Sequence, residues 1–267
     1  MNWKKIKSFL ILLFVLINLY LIISTSGSVV RFNSITVVDK DTLQKTASVI
    51  LSNYNISIDK SKVPLKLHNL NIIDVTNYIY SNNAFPDKKY EPTFENNSFS
   101  CAIHTDTYSY NEQNASAELE KIIADFGIQK QDYTLSFHKS DTGLVCTVTG
   151  QVSGVPILNS LIKANFDTKK ITLSGTWYMP NTTDIKSNDN TLRMIDITGI
   201  LIDAADRAPK DVTTSFKKIV FGYYVSSYDE NAATKISSAI PSYMIQTNTG
   251  LTYYYDALNG NFLKQEE

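Results

Sequence analysis

The sequence predicts an α+β fold: an N-terminal transmembrane helix, then repeated units in which a helix precedes an antiparallel sheet. Three observations lead there. A lysine-led apolar run opens the chain, three stretches of helical periodicity are each followed by runs that alternate apolar and polar residues, and turn residues recur at corresponding places. Helix-then-strands returns at a period of roughly 80 residues, which reads as an internal repeat. A helix packed on one face of each antiparallel sheet is the layer arrangement that such an order favours. Residues 1–30 are assigned to a cytoplasmic basic tail and membrane anchor, 31–182 to a first extracytoplasmic α+β region, and 183–267 to a second.

The opening segment carries Trp3, Lys4, Lys5 and Lys7 ahead of an apolar run from Phe9 to Ile23 that only Asn18 and Tyr20 interrupt. Each Leu, Ile, Val or Phe at mid-bilayer contributes about −0.3 to −0.6 kcal/mol, so insertion is favoured by several kcal/mol even with Asn18 set against it. Lysines on the N-terminal side place that side in the cytoplasm, which leaves the remainder outside as a single-pass protein of the cell membrane. The run itself is about 15 residues, short for a span of about 20 and close to the upper limit of a cleavable signal sequence. Ser24, Thr25, Ser26 and Gly27 could serve cleavage, so the residues themselves leave both readings open. If the span is kept, the Asn18 amide either bonds a partner helix or is met by its own helix backbone or by an off-centre position, and Ile11, Phe14, Val15, Leu21 and Ile22 share its face.

Beyond the span, the first helix is expected from about Asp41 to Tyr54, with Leu43, Ala47, Ile50, Leu51 and Tyr54 on one face. Strand-like runs follow at Leu67–Tyr80 and Ser98–Tyr108, around a loop containing Pro86 and Pro92. The second helix runs from about Ala115 to Phe126, with Leu119, Ile122, Ile123 and Phe126 inward and Gly127 as its stop. Four strand-like runs come next: Tyr133–Lys139, Leu144–Val152, Leu161–Asp167 and Ile171–Met179, the last two joined by a tight turn at Asp167–Lys170. The third helix is expected from about Asn190 to Arg207, with Leu192, Ile195, Gly199 and Ile202 in line. Strands then return at Lys217–Ser227, Ser242–Thr247, Leu251–Asp256 and Asn261–Lys264, with turns at Asn248–Gly250 and Asn259–Gly260. Val155–Pro156 and Ile240–Pro241 occupy loosely corresponding places in the two copies.

Composition narrows the function classes. Hydrophobic residues make up 43% and charged residues 19% of the 267, which suits a folded core and excludes wholesale disorder. The formal net charge is −1, with no basic stripe to neutralise phosphates, so nucleic acid is not expected as a partner. Cys101 and Cys146 form no C-x-x-C, and His68, His104 and His138 do not stand at ligand spacing to them, so no zinc site is expected. Outside the membrane the two cysteines can pair, or pack as small apolar side chains, and sequence leaves both open.

Catalytic signatures are missing from the sequence: no G-x-S-x-G, H-E-x-x-H, P-loop or dinucleotide fingerprint occurs. His104 near Asp106, and His138 near Asp141, read as ordinary solvated neighbours. Tyr253, Tyr254 and Tyr255 alternate across a strand, which suggests core packing with Tyr254 as an amphipathic surface residue on the opposite face. No enzyme activity, cofactor or metal is expected.

Particular residues carry a family likeness. Asn2-Trp3-Lys4-Lys5-Ile6-Lys7, then Leu16-Ile17-Asn18-Leu19-Tyr20-Leu21, resembles the start of the YycI (WalI) family. Asn55-Ile56-Ser57-Ile58-Asp59 with Val63-Pro64, and Ile240-Pro241-Ser242-Tyr243 followed by Gly250-Leu251-Thr252-Tyr253-Tyr254 and Asp256-Ala257-Leu258-Asn259-Gly260, look similar to the same family. The last of these is shared with PepSY-like extracytoplasmic modules. The resemblance implies a regulator of the WalK (YycG) sensor histidine kinase of cell-wall metabolism, acting with a related YycH-like protein through membrane helices. It implies further that the span is retained and that its polar residue corresponds to Asn18. Two other classes stay open: a module that senses a wall fragment or peptide, and a propeptide-like inhibitor that docks on a secreted hydrolase.

Overall fold

Alternation of inward and outward side chains shapes the strands that make up more than half of the described residues, and backbone hydrogen bonds join those strands into one mixed sheet of 13. The computed structural model describes residues 45, 52–54, 56–58, 63, 70–78, 90–95, 98–106, 109–140, 143–181, 194–195, 197–226 and 236–266. In chain order the elements are β1 (Ser57–Ile58), β2 (Ile73–Asn77), β3 (Thr93–Glu95), β4 (Ser98–His104), α1 (Glu112–Asp125), β5 (Tyr133–Ser140), β6 (Gly143–Val152), β7 (Val155–Asp167), β8 (Lys170–Thr176), β9 (Tyr178–Pro180), α2 (Ile197–Arg207), β10 (Ser215–Val225), β11 (Ile236–Thr247), β12 (Thr252–Asp256) and β13 (Phe262–Glu266).

The helix α1 begins where the Asn111 side chain accepts the Asn114 N–H at 2.9 Å and the Asn114 side chain accepts the Asn111 N–H at 2.7 Å. This reciprocal box satisfies two N–H groups that a helix start otherwise leaves without partners. At the other end Gly127 takes φ +76°, and the Gly127 and Ile128 N–H groups return to the carbonyls of Ala124 and Ile123. That is a Schellman closure, and its left-handed residue explains the glycine. Ala115, Leu119, Ile122 and Ile123 turn inward onto a core that includes Cys101, Cys146, Val148, Ile162, Ala164, Phe166, Ile171, Leu173 and Trp177. Burying each such aliphatic side chain stabilises the fold by about 1.5–3 kcal/mol.

Under α1 the strands run in the order β5-β6-β7-β8-β4-β3, all antiparallel. The β6–β7 turn passes through Ser153 and Gly154, both at positive φ, and Thr168–Lys169 turn the chain from β7 to β8. A single expected run at Ile171–Met179 is two strands: at the fully buried Trp177 the chain leaves β8, and the Tyr178 N–H is taken up by the buried Ser160 hydroxyl at 2.9 Å. The second half orders as β10-β11-β12-β13. Its β12–β13 turn is held by Asx contacts, with Leu258 N–H to Asp256 Oδ1 at 2.7 Å and Asn261 N–H to Asn259 Oδ1 at 2.8 Å.

The expected α+β fold of repeated helix-plus-sheet units is overturned. The described residues form a β-rich fold of 13 strands in a mixed sheet, with two α-helices whose bounds are described. Each of those helices is followed in the chain by strands, which is why the sequence suggested units. Hydrogen bonding ignores the unit boundary. On one edge of β10 lie β1 and β7, both parallel, through Ser57↔Ser215 and Ile157↔Tyr223. On the outer edge of β11, beyond β12, lies β2, which in turn pairs with β9. Strands from before α1 therefore complete the sheet that follows α2.

Two local expectations are also corrected. Gly199 was placed in the apolar line of the third helix, but it is exposed on α2, whose buried residues are Ile197, Ile200, Leu201, Ala204 and Ala205. Tyr254 was expected at the surface. It does face away from Tyr253 and Tyr255, but it is buried in its own apolar cluster with Leu158 and Tyr224.

Candidate functional site

Helical spacing puts Asp203 and Arg207 four residues apart on α2, one turn above the other. The Arg207 Nε–H donates to Asp203 Oδ2 at 2.6 Å, and the Tyr255 hydroxyl, reaching up from β12, donates to the same oxygen at 2.9 Å. The Arg207 guanidinium carbon lies 4.0 Å from the centre of the Phe262 ring, which meets Tyr255 edge-on at 5.6 Å. A carboxylate, a guanidinium and two aromatic rings thus join the end of α2 to β12 and β13. Burial pushes the Asp203 carboxyl upward, but the bonds from Arg207 and Tyr255 outweigh it and hold the group below its ordinary value. The bond to Asp203 raises Arg207 in turn, and desolvation raises Tyr255. Each member is held in one protonation state around neutral pH, so the cluster is a clamp and not a proton-transfer device. The signal for it in the sequence was the Asp-x-x-x-Arg spacing, to which no partner could be assigned from sequence alone.

Surface grooves also occur among the described residues, away from this cluster. One of about 690 Å³ is lined by Tyr110, Asn111, Glu112 and Gln113 at the start of α1 and by Lys139, Ser140, Gly143 and Leu144 of the β5–β6 hairpin. A smaller one of about 170 Å³ shares Tyr110, Gly143 and Leu144 with it and continues to Phe166 and Asp167. The third, about 510 Å³, lies across β3, β4 and β8 between Thr93, Glu95, Ser98, Ser100 and Ser174.

The sequence-derived candidates are placed as follows. His104 and Asp106 are exposed near the end of β4, and His138 is exposed on β5, while His68 and Asp141 lie outside the described residues. Among the described residues no group of three or more His, Cys, Asp or Glu is arranged to hold a metal ion. The cysteines are free and buried, and strand register separates them: Cys101↔Leu173, Leu173↔Ala164 and Ala164↔Cys146 form one row across four strands. Three inter-strand steps place them about 14 Å apart, twice the reach of a disulfide. Burial raises the Cys101 thiol to about 11 and the Cys146 thiol to about 12. The hydroxyls of Tyr223 and Tyr253 and the indole N–H of Trp177 are buried without a hydrogen-bond partner. All the residues assigned to membrane orientation (Trp3, Lys4, Lys5, Lys7) and to partner contact (Ile11, Phe14, Val15, Asn18, Leu21, Ile22) lie outside the described residues. Among the described residues no helix is long and apolar enough to cross a membrane.

No family model matches the chain, and no curated protein does. Among solved structures, an uncharacterized protein from Eubacterium rectale is similar over 73% of this chain and 86% of its own, at 14% identity and a TM-score of 0.45.

Proposed function

We propose that the protein is a non-enzymatic, membrane-anchored regulator of a cell-wall sensor histidine kinase of the WalK (YycG) type, acting beside a YycH-like protein. The observation that carries this reading is Asn18, one amide inside an apolar run led by Lys4, Lys5 and Lys7. In hydrocarbon an unpaired amide is costly, and a partner helix is its natural complement. Ile11, Phe14, Val15, Leu21 and Ile22 pack around that contact on the same face. The soluble part then sets the spacing between anchored partners.

The C-terminal residues that resemble the YycI family each have an architectural place in the fold. Ile240–Tyr243 lie in β11, Tyr253 and Tyr254 in β12, and Gly250 and Gly260 take positive φ in the turns. These residues specify a scaffold and not a reactive centre.

A membrane two-hybrid assay against the kinase tests the reading, using the wild type, Asn18→Leu and a chimera with an unrelated span. Asn18→Leu makes the span more apolar, so insertion persists. Association weakens by about 0.6–2 kcal/mol, roughly three- to thirty-fold. Kinase binding by the chimera at the wild-type level would overturn the helix contact. A mature N-terminus near Gly27 or Ser28 would remove the anchor and favour a secreted inhibitor.

A further inference from the structure

Five described strands pair with a single other described strand, and four of them are protected against further pairing. β1 is two residues long, β3 and β9 are three each, Pro92 precedes β3 and Pro180 ends β9. β13 has five residues, carries the Lys264–Glu266 ion pair, and meets β12 at an irregularity beside Tyr254. Short edges, charges, prolines and bulges are the usual devices against edge-to-edge association. β5 has none of them along most of its length. It runs eight residues, its register on β6 is unbroken, and Tyr133 to Phe137 are uncharged.

The backbone direction of β5 follows from its hairpin. Ser140 and Gly143 are the last pair, with two residues between them, so Ser140, His138, Ser136 and Thr134 direct their N–H and C=O groups to β6. Tyr133, Leu135, Phe137 and Lys139 then direct theirs outward. Odd-numbered side chains lean toward the α1 side, where Leu135 and Phe137 are partly buried, and Thr134, Ser136 and His138 are exposed on the other.

We propose that the protein pairs with a second copy of itself along β5, antiparallel and centred on Leu135, so that the sheet continues from one copy into the other. This centre matches faces as pleating demands. Leu135 meets its own counterpart in a hydrogen-bonded pair, Tyr133 lies opposite Phe137 of the partner subunit, and Thr134 lies opposite Ser136 of the partner subunit. The ends are complementary in hydrogen bonding, because Asp132, at the mouth of the strand, is brought toward His138 of the partner subunit, a carboxylate facing an imidazole N–H, and the two-fold axis repeats the contact.

The test uses the full chain in detergent micelles, with sedimentation measured over a range of concentrations. Two double variants are made, Thr134→Lys with Ser136→Lys, and Thr134→Glu with Ser136→Glu. Both positions are exposed, so the fold is kept, and circular dichroism checks this. Each variant places like charges directly opposite one another twice across the two-fold axis. The wild type is expected to dimerise with rising concentration, each variant to dimerise at least tenfold more weakly, and an equal mixture of the two variants to recover a dimer as tight as the wild type. A wild type that stays monomeric, a variant that dimerises like the wild type, or a mixture that fails to recover would each overturn the proposal.

Discussion

The side-chain amide of Asn159 in β7 binds the main chain of Val225 in β10 twice: its Nδ2–H donates to the Val225 carbonyl at 2.9 Å, and its Oδ1 accepts the Val225 N–H at 3.0 Å. An asparagine side chain carries the same donor and acceptor as a peptide group, so it substitutes for one residue of ladder at the place where the two halves of the sheet meet. Val225 is itself buried, so water does not replace these bonds. Asn159→Ala leaves a buried donor and acceptor without partners and should destabilise the protein by about 1–3 kcal/mol. Asn159→Asp should cost at least as much, since a carboxylate accepts the N–H but faces the carbonyl. Urea unfolding followed by Trp177 fluorescence reads both, and a change within about 0.5 kcal/mol for Asn159→Ala would show that the junction is held by other contacts.

Three glycines separate backbone strain from crowding. Gly175 sits at φ +149°, and a Cβ there would lie 2.0 Å from the Leu161 carbonyl oxygen; neither can relax without shifting the β7–β8 ladder. Gly250, in the β11–β12 turn, has φ +93° but open space around it, whereas Gly199 lies in the first turn of α2 with nothing near. Gly175→Ala should therefore cost more than about 3 kcal/mol, and Gly250→Ala about 1–2 kcal/mol. Gly199→Ala should stabilise by about 0.5–1 kcal/mol, because alanine loses less backbone freedom on folding. Thermal unfolding of the three variants should rank them in that order, and a Gly175→Ala protein as stable as Gly250→Ala would contradict the register of β7 on β8.

The thiols predict a pH dependence with a definite sign. Burial raises Cys101 from 9.0 to about 11 and Cys146 from 9.0 to about 12, so the folded protein holds these protons more tightly than the unfolded chain. Their contribution to stability is complete below pH 9, declines above it, and is lost as pH rises through the folded values. The urea midpoint should stay level with respect to these groups up to about pH 9 and fall beyond it, and Cys146→Ala should make the fall shallower. In the folded state neither thiol should react with Ellman's reagent at pH 8, and both should react on unfolding. A folded thiol reacting at the rate of a free cysteine would place it outside the core.

Local chemistry was legible in the sequence where side chains alone decide the outcome. Leu119, Ile122 and Ile123 marked the inner face of α1, Gly127 marked its stop, and Asn259–Gly260 marked a turn. Local pattern does not carry the outcome where the backbone overrides it. The start of β7 was missed because Gly154 and Pro156 look like loop residues, yet Pro156 pairs with Gln151 beside an irregularity in the ladder. The Asp203–Arg207–Tyr255–Phe262 clamp is not legible locally, because two of its members come from a helix and two from strands far later in the chain, as with Asp203 and Tyr255, 52 positions apart.

By itself the sequence determined, among the described residues, the inner face and stop of α1, the longer antiparallel strands and most of their turns, because side-chain period and turn residues act over a few neighbours, while most of the helix expected from Asp41 to Tyr54 lies outside those residues. Only the tertiary structure decided that the chain forms one mixed sheet instead of repeated units. Strands find their partners through N–H and C=O groups that are alike at nearly every residue, so the pattern of one strand does not name the strand beside it. The parallel contact of β7 with β10 rests instead on local accommodation: Gly222 has no Cβ where one would come within 2.4 Å of the Pro156 carbonyl oxygen, and Asn159 supplies the ladder bonds at Val225. Such fits between distant residues exist only once the chain has folded.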